Sequence, residues 1–254
     1  MTPFAEGALL ARARTAPAVD VDELAAGGVL ALVPHPDDET LGCGAALAAA
    51  VEAGHAAHVA VLTDGGASHP NSSAWPRERL AARRAEELAA ALEALGTGRI
   101  THERLGHPDQ GSPTPDSPAG RAVVARLLEA LRERRPAHLW TVWEGDPHVD
   151  HERCAALASA LLGAAAAEGL AVPALSRFPV WGRFVARDAQ DGTLVRFVPT
   201  RVGRERKARA IGCHATQMTP LIDDDPDGFT MPVPMQAHFL EHDELFVRGV
   251  GAPA

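Results

Sequence analysis

Short apolar runs and longer amphipathic stretches alternate along this chain, and the alternation restricts its fold more than any other feature. Strand-like segments occupy 28–34, 58–63, 99–105, 138–143, 176–182 and 194–198. Helix-like segments fall between or after them, at 40–53, 77–95, 118–134, 151–168 and 200–212. Strand–helix–strand succession predicts parallel βαβ units wound into a Rossmann-like layered α/β fold, a mostly parallel sheet flanked by helices. Gly54 and Gly96 stand where two helices should stop. The last two strand candidates are close in sequence and suit an antiparallel extension. From Ile222 the chain is acidic and broken by proline, then closes with a short apolar run near Phe239 to Val247. With no internal repeat or linker, residues 1–254 are expected to form one domain, its core at about 28–217.

Composition narrows the function classes. A hydrophobic share of 46% and a charged share of 22% are ordinary for a globular protein. The formal charge of −9 argues against a nucleic-acid partner, which needs clustered Lys and Arg. Cys43, Cys154 and Cys213 form no metal or disulfide spacing and read as free thiols in a reducing compartment. Residues 1–14 lack the pattern of a signal peptide, and the longest apolar stretch, Ala155 to Ala167, is too short for a bilayer. A cytoplasmic location without a membrane partner is therefore expected. Oligomeric state has no sequence signal.

The chemistry concentrates in two places. The apolar run 28–33 drives into His35-Pro36-Asp37-Asp38-Glu39, and the run 138–143 leads to His148-Val149-Asp150-His151. Ligands of open α/β sheets collect beyond the carboxyl ends of strands, so both clusters can converge on one divalent ion. A catalytic zinc keeps three protein ligands and one open position. His35, Asp38 and His151 fill that role, and Asp37 beside them is left as a free carboxylate. The competing role for Asp37, Asp38 or Asp150 is helix capping. Two long loops, Asp64 to Pro76 and Gly106 to Pro118, also follow strands and should reach the same mouth.

Together these motifs resemble the LmbE-like, or PIG-L, deacetylases. His35-Pro36-Asp37-Asp38-Glu39 resembles the family's first signature in full, and His148-Val149-Asp150-His151 resembles its second. Arg84-Ala85-Glu86-Glu87 is similar to the family's R-x-x-E helix, Leu105 to Gly111 with Asp109 to its following loop, and His214-Ala215-Thr216-Gln217 to its late H-x-S/T-Q element. The resemblance implies a zinc-dependent hydrolase that removes an acyl group, usually acetyl, from an amino sugar or related small molecule. It implies zinc on His35, Asp38 and His151, Asp37 as general base, His148 as an imidazolium stabilising the oxyanion, and Asp150 as its orienting partner. A His/Asp/His set also accepts Fe2+. The chain departs from any phenol-assisted mechanism, because it contains no tyrosine.

Other assignments stay open on the sequence alone. Arg84 lies on an apolar helix stripe and needs either Glu87 or substrate hydroxyls as a partner. Asp109 is a turn former or a sugar-hydroxyl acceptor. His214 shapes the pocket or ends the preceding helix. Trp140, Trp143 and Trp181 read as core, with stacking on a sugar ring the alternative for Trp181 near its strand end. Alternatives to the deacetylase are an amidase for a longer acyl chain or conjugate, and a non-catalytic metal-containing carbohydrate binder. Asp37 argues against the last, since a pure binder has no use for a free base beside the ion.

Overall fold

A computed structural model describes residues 7–249 apart from 188, 190 and 191. Its strands are β1 (Ala18–Val19), β2 (Val29–Val33), β3 (Ala57–Thr63), β4 (Ile100–His107), β5 (His138–Val142), β6 (Ala174–Phe178), β7 (Thr193–Phe197) and β8 (Glu244–Arg248). The helices are α1 (Ala8–Ala13), α2 (Val21–Ala25), α3 (Asp38–Glu52), α4 (Arg77–Gly96), α5 (Pro118–Arg134), α6 (Val149–Ala167), α7 (Arg201–Cys213), α8 (Ala215–Met218) and α9 (Val233–Glu241). A 3-10 turn spans Trp181–Phe184. Among the described residues no helix is long and apolar enough to cross a membrane.

The strands form one sheet in the order β1-β7-β8-β6-β5-β2-β3-β4, and pairing from β6 to β4 is parallel throughout. β2 and β3 are buried at every position, which explains their near-continuous apolar sequences: both faces are covered. Helices α3, α4 and α7 pack as one group and α5 with α6 as another. From β2 the chain steps outward to β3 and β4, then returns to β5 on the other side of β2. That reversal opens a crevice beyond the carboxyl ends of β2 and β5, where both motifs emerge.

The expected antiparallel extension exists, but its pairing differs. β6 and β7 do not pair; β8 lies between them, antiparallel to both. The apolar run near Phe239 to Val247 therefore contains the missing strand, preceded by α9. Strand candidate 176–182 ends early because Trp181 enters the 3-10 turn. Gly54 is a left-handed helix stop at φ +91°, but at the end of α4 that conformation falls on Thr97, φ +49°. Gly96 serves space instead: a Cβ there would stand 2.5 Å from Ile100 Cγ1.

Helix α3 is broken at Cys43, whose φ of −141° is not helical. The break frees the N–H groups of Ala45 and Ala46, and both donate to the Glu244 carboxylate of β8 at 2.8 Å. Lys207 of α7 completes the brace, donating to Glu244 at 2.6 Å and to the Leu41 carbonyl at 2.7 Å. All of this is buried. Glu244 of β8 thus holds the start of the second half of α3, and Lys207 of α7 holds the first half, which carries Asp38.

Candidate active site

The turn after β2 places its side chains by unusual backbone. Asp37 precedes α3 with φ +140° and ψ −27°, a region that non-glycine residues rarely adopt, and its side chain caps no helix. Two contacts hold this conformation: the Asp37 N–H donates to Glu39 Oε2 at 3.1 Å, and Arg84 donates to Asp37 Oδ2 at 3.0 Å. Strain of this kind persists only where its surroundings determine it. The same Arg84 nitrogen donates to the Pro36 carbonyl, and the other to Gly65. Gly65 has φ +65°, and a Cβ on it would meet Arg84 Nη1 at 2.5 Å, so glycine is required twice over.

Asp38 Oδ2 is the meeting point of the two motifs. It accepts from the His35 N–H at 3.0 Å and lies 3.1 Å from His35 Nδ1 and 3.4 Å from His151 Nε2. The other side of the His35 ring faces carboxylates: Nε2 lies 3.1 Å from Asp150 Oδ2 and 3.2 Å from Asp109 Oδ1. One donor atom each from His35, His148 and His151 lies within 4.8 Å of the others, and the same holds for His35, Asp109 and Asp150. Every predicted ligand and catalytic residue therefore gathers at one crevice.

Buried His151 is the most informative of them. Its Nδ1 lies 2.9 Å from Asp146 Oδ2, and an ionised carboxylate can only accept there. Nδ1 therefore carries a proton, and Nε2 faces the Asp38 oxygen. That Nε2 has no hydrogen-bond partner although it is buried. Asp146 itself is fully buried and accepts three further N–H groups, from Val180 at 3.0 Å, Trp181 at 3.2 Å and Gly182 at 2.6 Å.

Asp150 does not orient His148 as expected. Its carboxylate accepts from Gln110 N–H at 2.7 Å and Ser112 N–H at 3.1 Å, and it contacts His35; His148 Nδ1 is 4.0 Å away. His148 instead caps α6: its Nδ1 accepts the Asp150 N–H at 3.1 Å. A nitrogen that accepts carries no proton, so the ring is neutral. Burial pulls its pKa down, and His35 and His151 add to the effect.

Electrostatics separates the adjacent aspartates. Burial raises Asp37 to about 6, against an opposing pull from Arg84. Burial also raises Asp38, but His151 and His35 outweigh it and hold Asp38 at about 2. For His35, burial lowers the pKa, yet bonds to Asp109, Asp150 and Asp38 leave it well above the ordinary value.

A cavity of about 340 Å³ opens over these groups. Arg84 borders it but its partner is Asp37, while Glu87 accepts from Thr216 N–H at 3.0 Å and its hydroxyl at 2.6 Å. Asp109 also accepts from Ala67 N–H at 2.9 Å, so it joins the two long loops at the mouth. His214 ends α7, which agrees with the helix-end reading, and its Nε2 lies 3.1 Å from the Thr40 hydroxyl. Trp140 and Trp143 are core, and Trp181 lines the cavity. The sequence reading missed Asp146 and gave Glu39 no role. An imidazole ligand usually has a carboxylate behind it, and Asp146, five residues before His151 in the same strand exit, was an unassigned acid.

Comparison with known proteins agrees with this geometry. The family model "PIG-L: GlcNAc-PI de-N-acetylase" matches residues 30–162, just over half of the chain. A 1D-myo-inositol 2-acetamido-2-deoxy-alpha-D-glucopyranoside deacetylase of Kineococcus radiotolerans is 33% identical over 49% of this chain, but the match spans only 42% of that enzyme. The deacetylase of the same name from Rhodococcus erythropolis is 30% identical over 73% of this chain and 79% of its own length. The structure of N,N'-diacetylchitobiose deacetylase from Pyrococcus horikoshii shares the fold, with a TM-score of 0.62, 20% identity, and coverage of 87% of this chain and 82% of that one. With both signatures inside the matched segment and converging on one crevice, the chain belongs to the PIG-L family.

Proposed function

We propose that this protein is a metal-dependent N-deacetylase acting on a small N-acylated amino sugar, with the ion held by His35, Asp38 and His151. One observation carries the proposal: the buried, unpartnered Nε2 of His151 facing Asp38 Oδ2. Donor atoms about 2.1 Å from a tetrahedral ion stand about 3.4 Å apart. The 3.1 Å and 3.4 Å separations around Asp38 Oδ2 suit that arrangement. Asp150 behind His35 and Asp146 behind His151 are the carboxylates that fix ligand rings. The donor set accepts Zn2+ and Fe2+, and zinc is the proposed ion.

A bound zinc would polarise the amide carbonyl and bring the pKa of a water toward about 7. The chain's own groups do the rest. Asp37, ionised and held by Arg84, takes the proton from the attacking water. Water oxygen adds to the carbonyl carbon, the C–N bond breaks, and Asp37 returns the proton to the departing amine. The products are a carboxylate and a free amino sugar. His148 acts as a neutral donor, not as an imidazolium: its Nδ1 is occupied, so Nε2–H is free for the oxyanion. Arg84 acts through Asp37, and Asp109 borders the sugar. The proposed setting is the cytoplasm, supported by three free thiols.

The test is direct. Zinc-loaded protein should release acetate from N-acetylglucosamine glycosides, and His151→Ala should lose both the metal, by elemental analysis, and the activity. A His151→Ala protein with full metal occupancy would remove His151 from the ligand set.

A further inference from the structure

The lining of the cavity constrains the charge of the substrate, on the deacetylase reading above. Carboxylates of Asp37, Asp38, Asp109 and Asp227 border it, against the single guanidinium of Arg84. Arg84 is buried and spent on Asp37, Pro36 and Gly65. Even with a divalent ion in place the wall is net negative. Away from the ion, a phosphate or carboxylate meets no unpaired cationic side chain among the described residues that line the cavity, and an unpaired buried charge is costly.

The groups that remain available are acceptors. Gln217 is 1% exposed and lines the cavity. The Thr216 hydroxyl gives its proton to Glu87 Oε2 at 2.6 Å, so toward Gln217 it can only accept. The Gln217 amide nitrogen must therefore face Thr216 and Ser68, at 3.3 Å and 3.0 Å, which leaves the amide oxygen unpartnered. Asp227 is exposed at the mouth, and among the described residues nothing pairs with it. Its position is nonetheless fixed. Asp225 accepts the Asn71 N–H at 2.8 Å, and Phe229 N–H donates to the Ser68 carbonyl at 2.7 Å, pinning the segment on both sides of Asp227.

An ammonium group carries three N–H donors and a positive charge, which suits a carboxylate and an amide oxygen on one wall. We infer that the substrate presents a free protonated amine in addition to the N-acyl group that is removed, read by Asp227 and Gln217, and that anionic congeners are rejected. The favoured class is a cationic amino sugar acylated at one of its amines.

Three β-glycosides of N-acetylglucosamine test this: 2-aminoethyl, 2-hydroxyethyl and carboxymethyl. Acetate release by the zinc-loaded full chain gives kcat/KM, and calorimetry on the same protein gives binding independently of turnover. The expected order is amine, then hydroxyl, then carboxylate. Asp227→Asn should reduce the amine-to-hydroxyl ratio roughly two- to five-fold, the scale of one exposed ion pair. Equal values across the three, preference for the carboxylate, or an unchanged ratio in Asp227→Asn would overturn the inference. Binding in the expected order without acetate release would overturn the deacetylase reading and leave the charge preference standing; absence of all binding overturns both.

Discussion

Replacing Asp146 separates ligand support from scaffolding. In Asp146→Ala, three backbone N–H groups and the His151 Nδ1–H lose their acceptor in a fully buried site. At about 1–3 kcal/mol for each unsatisfied buried group, the loss rivals the whole stability of an ordinary protein, so that variant should not fold usefully. Asp146→Asn keeps shape and one oxygen. With that oxygen toward His151, its amide nitrogen opposes the Gly182 N–H, leaving one donor unsatisfied at a cost of about 1–3 kcal/mol. For a chain of this length each kcal/mol lowers Tm by about 2–4 °C. The negative charge behind His151 also disappears, and loss of such a partner typically weakens metal binding about 10–100-fold. Chelator-competition titration should show that weakening, and melting with and without zinc should show a smaller metal-induced gain in Tm. An Asn variant with equal Tm losses in both states and unchanged zinc affinity would refute the link, leaving Asp146 as a loop scaffold only.

Asp37→Asn should retain zinc but lose about 10²–10⁴-fold in turnover, measured as acetate release with metal content checked in parallel. Because Asp37 must be ionised and its pKa is raised to about 6, activity should fall as pH drops through that value. Arg84 lowers that pKa, so Arg84→Met should move the acid limb to higher pH; a limb that moves down would remove Arg84 from control of the base. Glu244→Gln takes the charge from the buried brace and leaves Lys207 without its counterion, which should lower Tm strongly, by about 3–5 kcal/mol of stability, while Lys207→Met together with Glu244→Gln should recover part of the loss.

Residues that act within one local segment were legible in the sequence. The apolar continuity of β2 and the His35 to Glu39 turn announced a parallel strand emptying into a metal-competent loop, and both are found there. What the sequence hid are partnerships between distant residues. Asp150 stands two positions from His148, yet helix entry turns its carboxylate toward His35, 115 residues away. Arg84 and Glu87 share a helix, but each is satisfied by another element, Asp37 and Thr216 respectively. The strand in the last apolar run carried no periodicity long enough to distinguish it, and its place between β6 and β7 is decided by pairing.

The brace at the break of α3 has a consequence for the order of assembly. The helix half that follows Cys43 is secured at its start by Glu244, 199 residues beyond Ala45. At a synthesis rate of about 5–20 residues per second, the emerging chain waits about 10–40 s between making α3 and making the residue that braces its break. Throughout that interval the N–H groups of Ala45 and Ala46 lack their acceptor. A nascent chain stalled before Glu244 should therefore leave this helix frayed at Cys43, with strands β2 to β5 already made. The start of the second half of α3, although synthesised early, is therefore among the last parts of the molecule to become rigid.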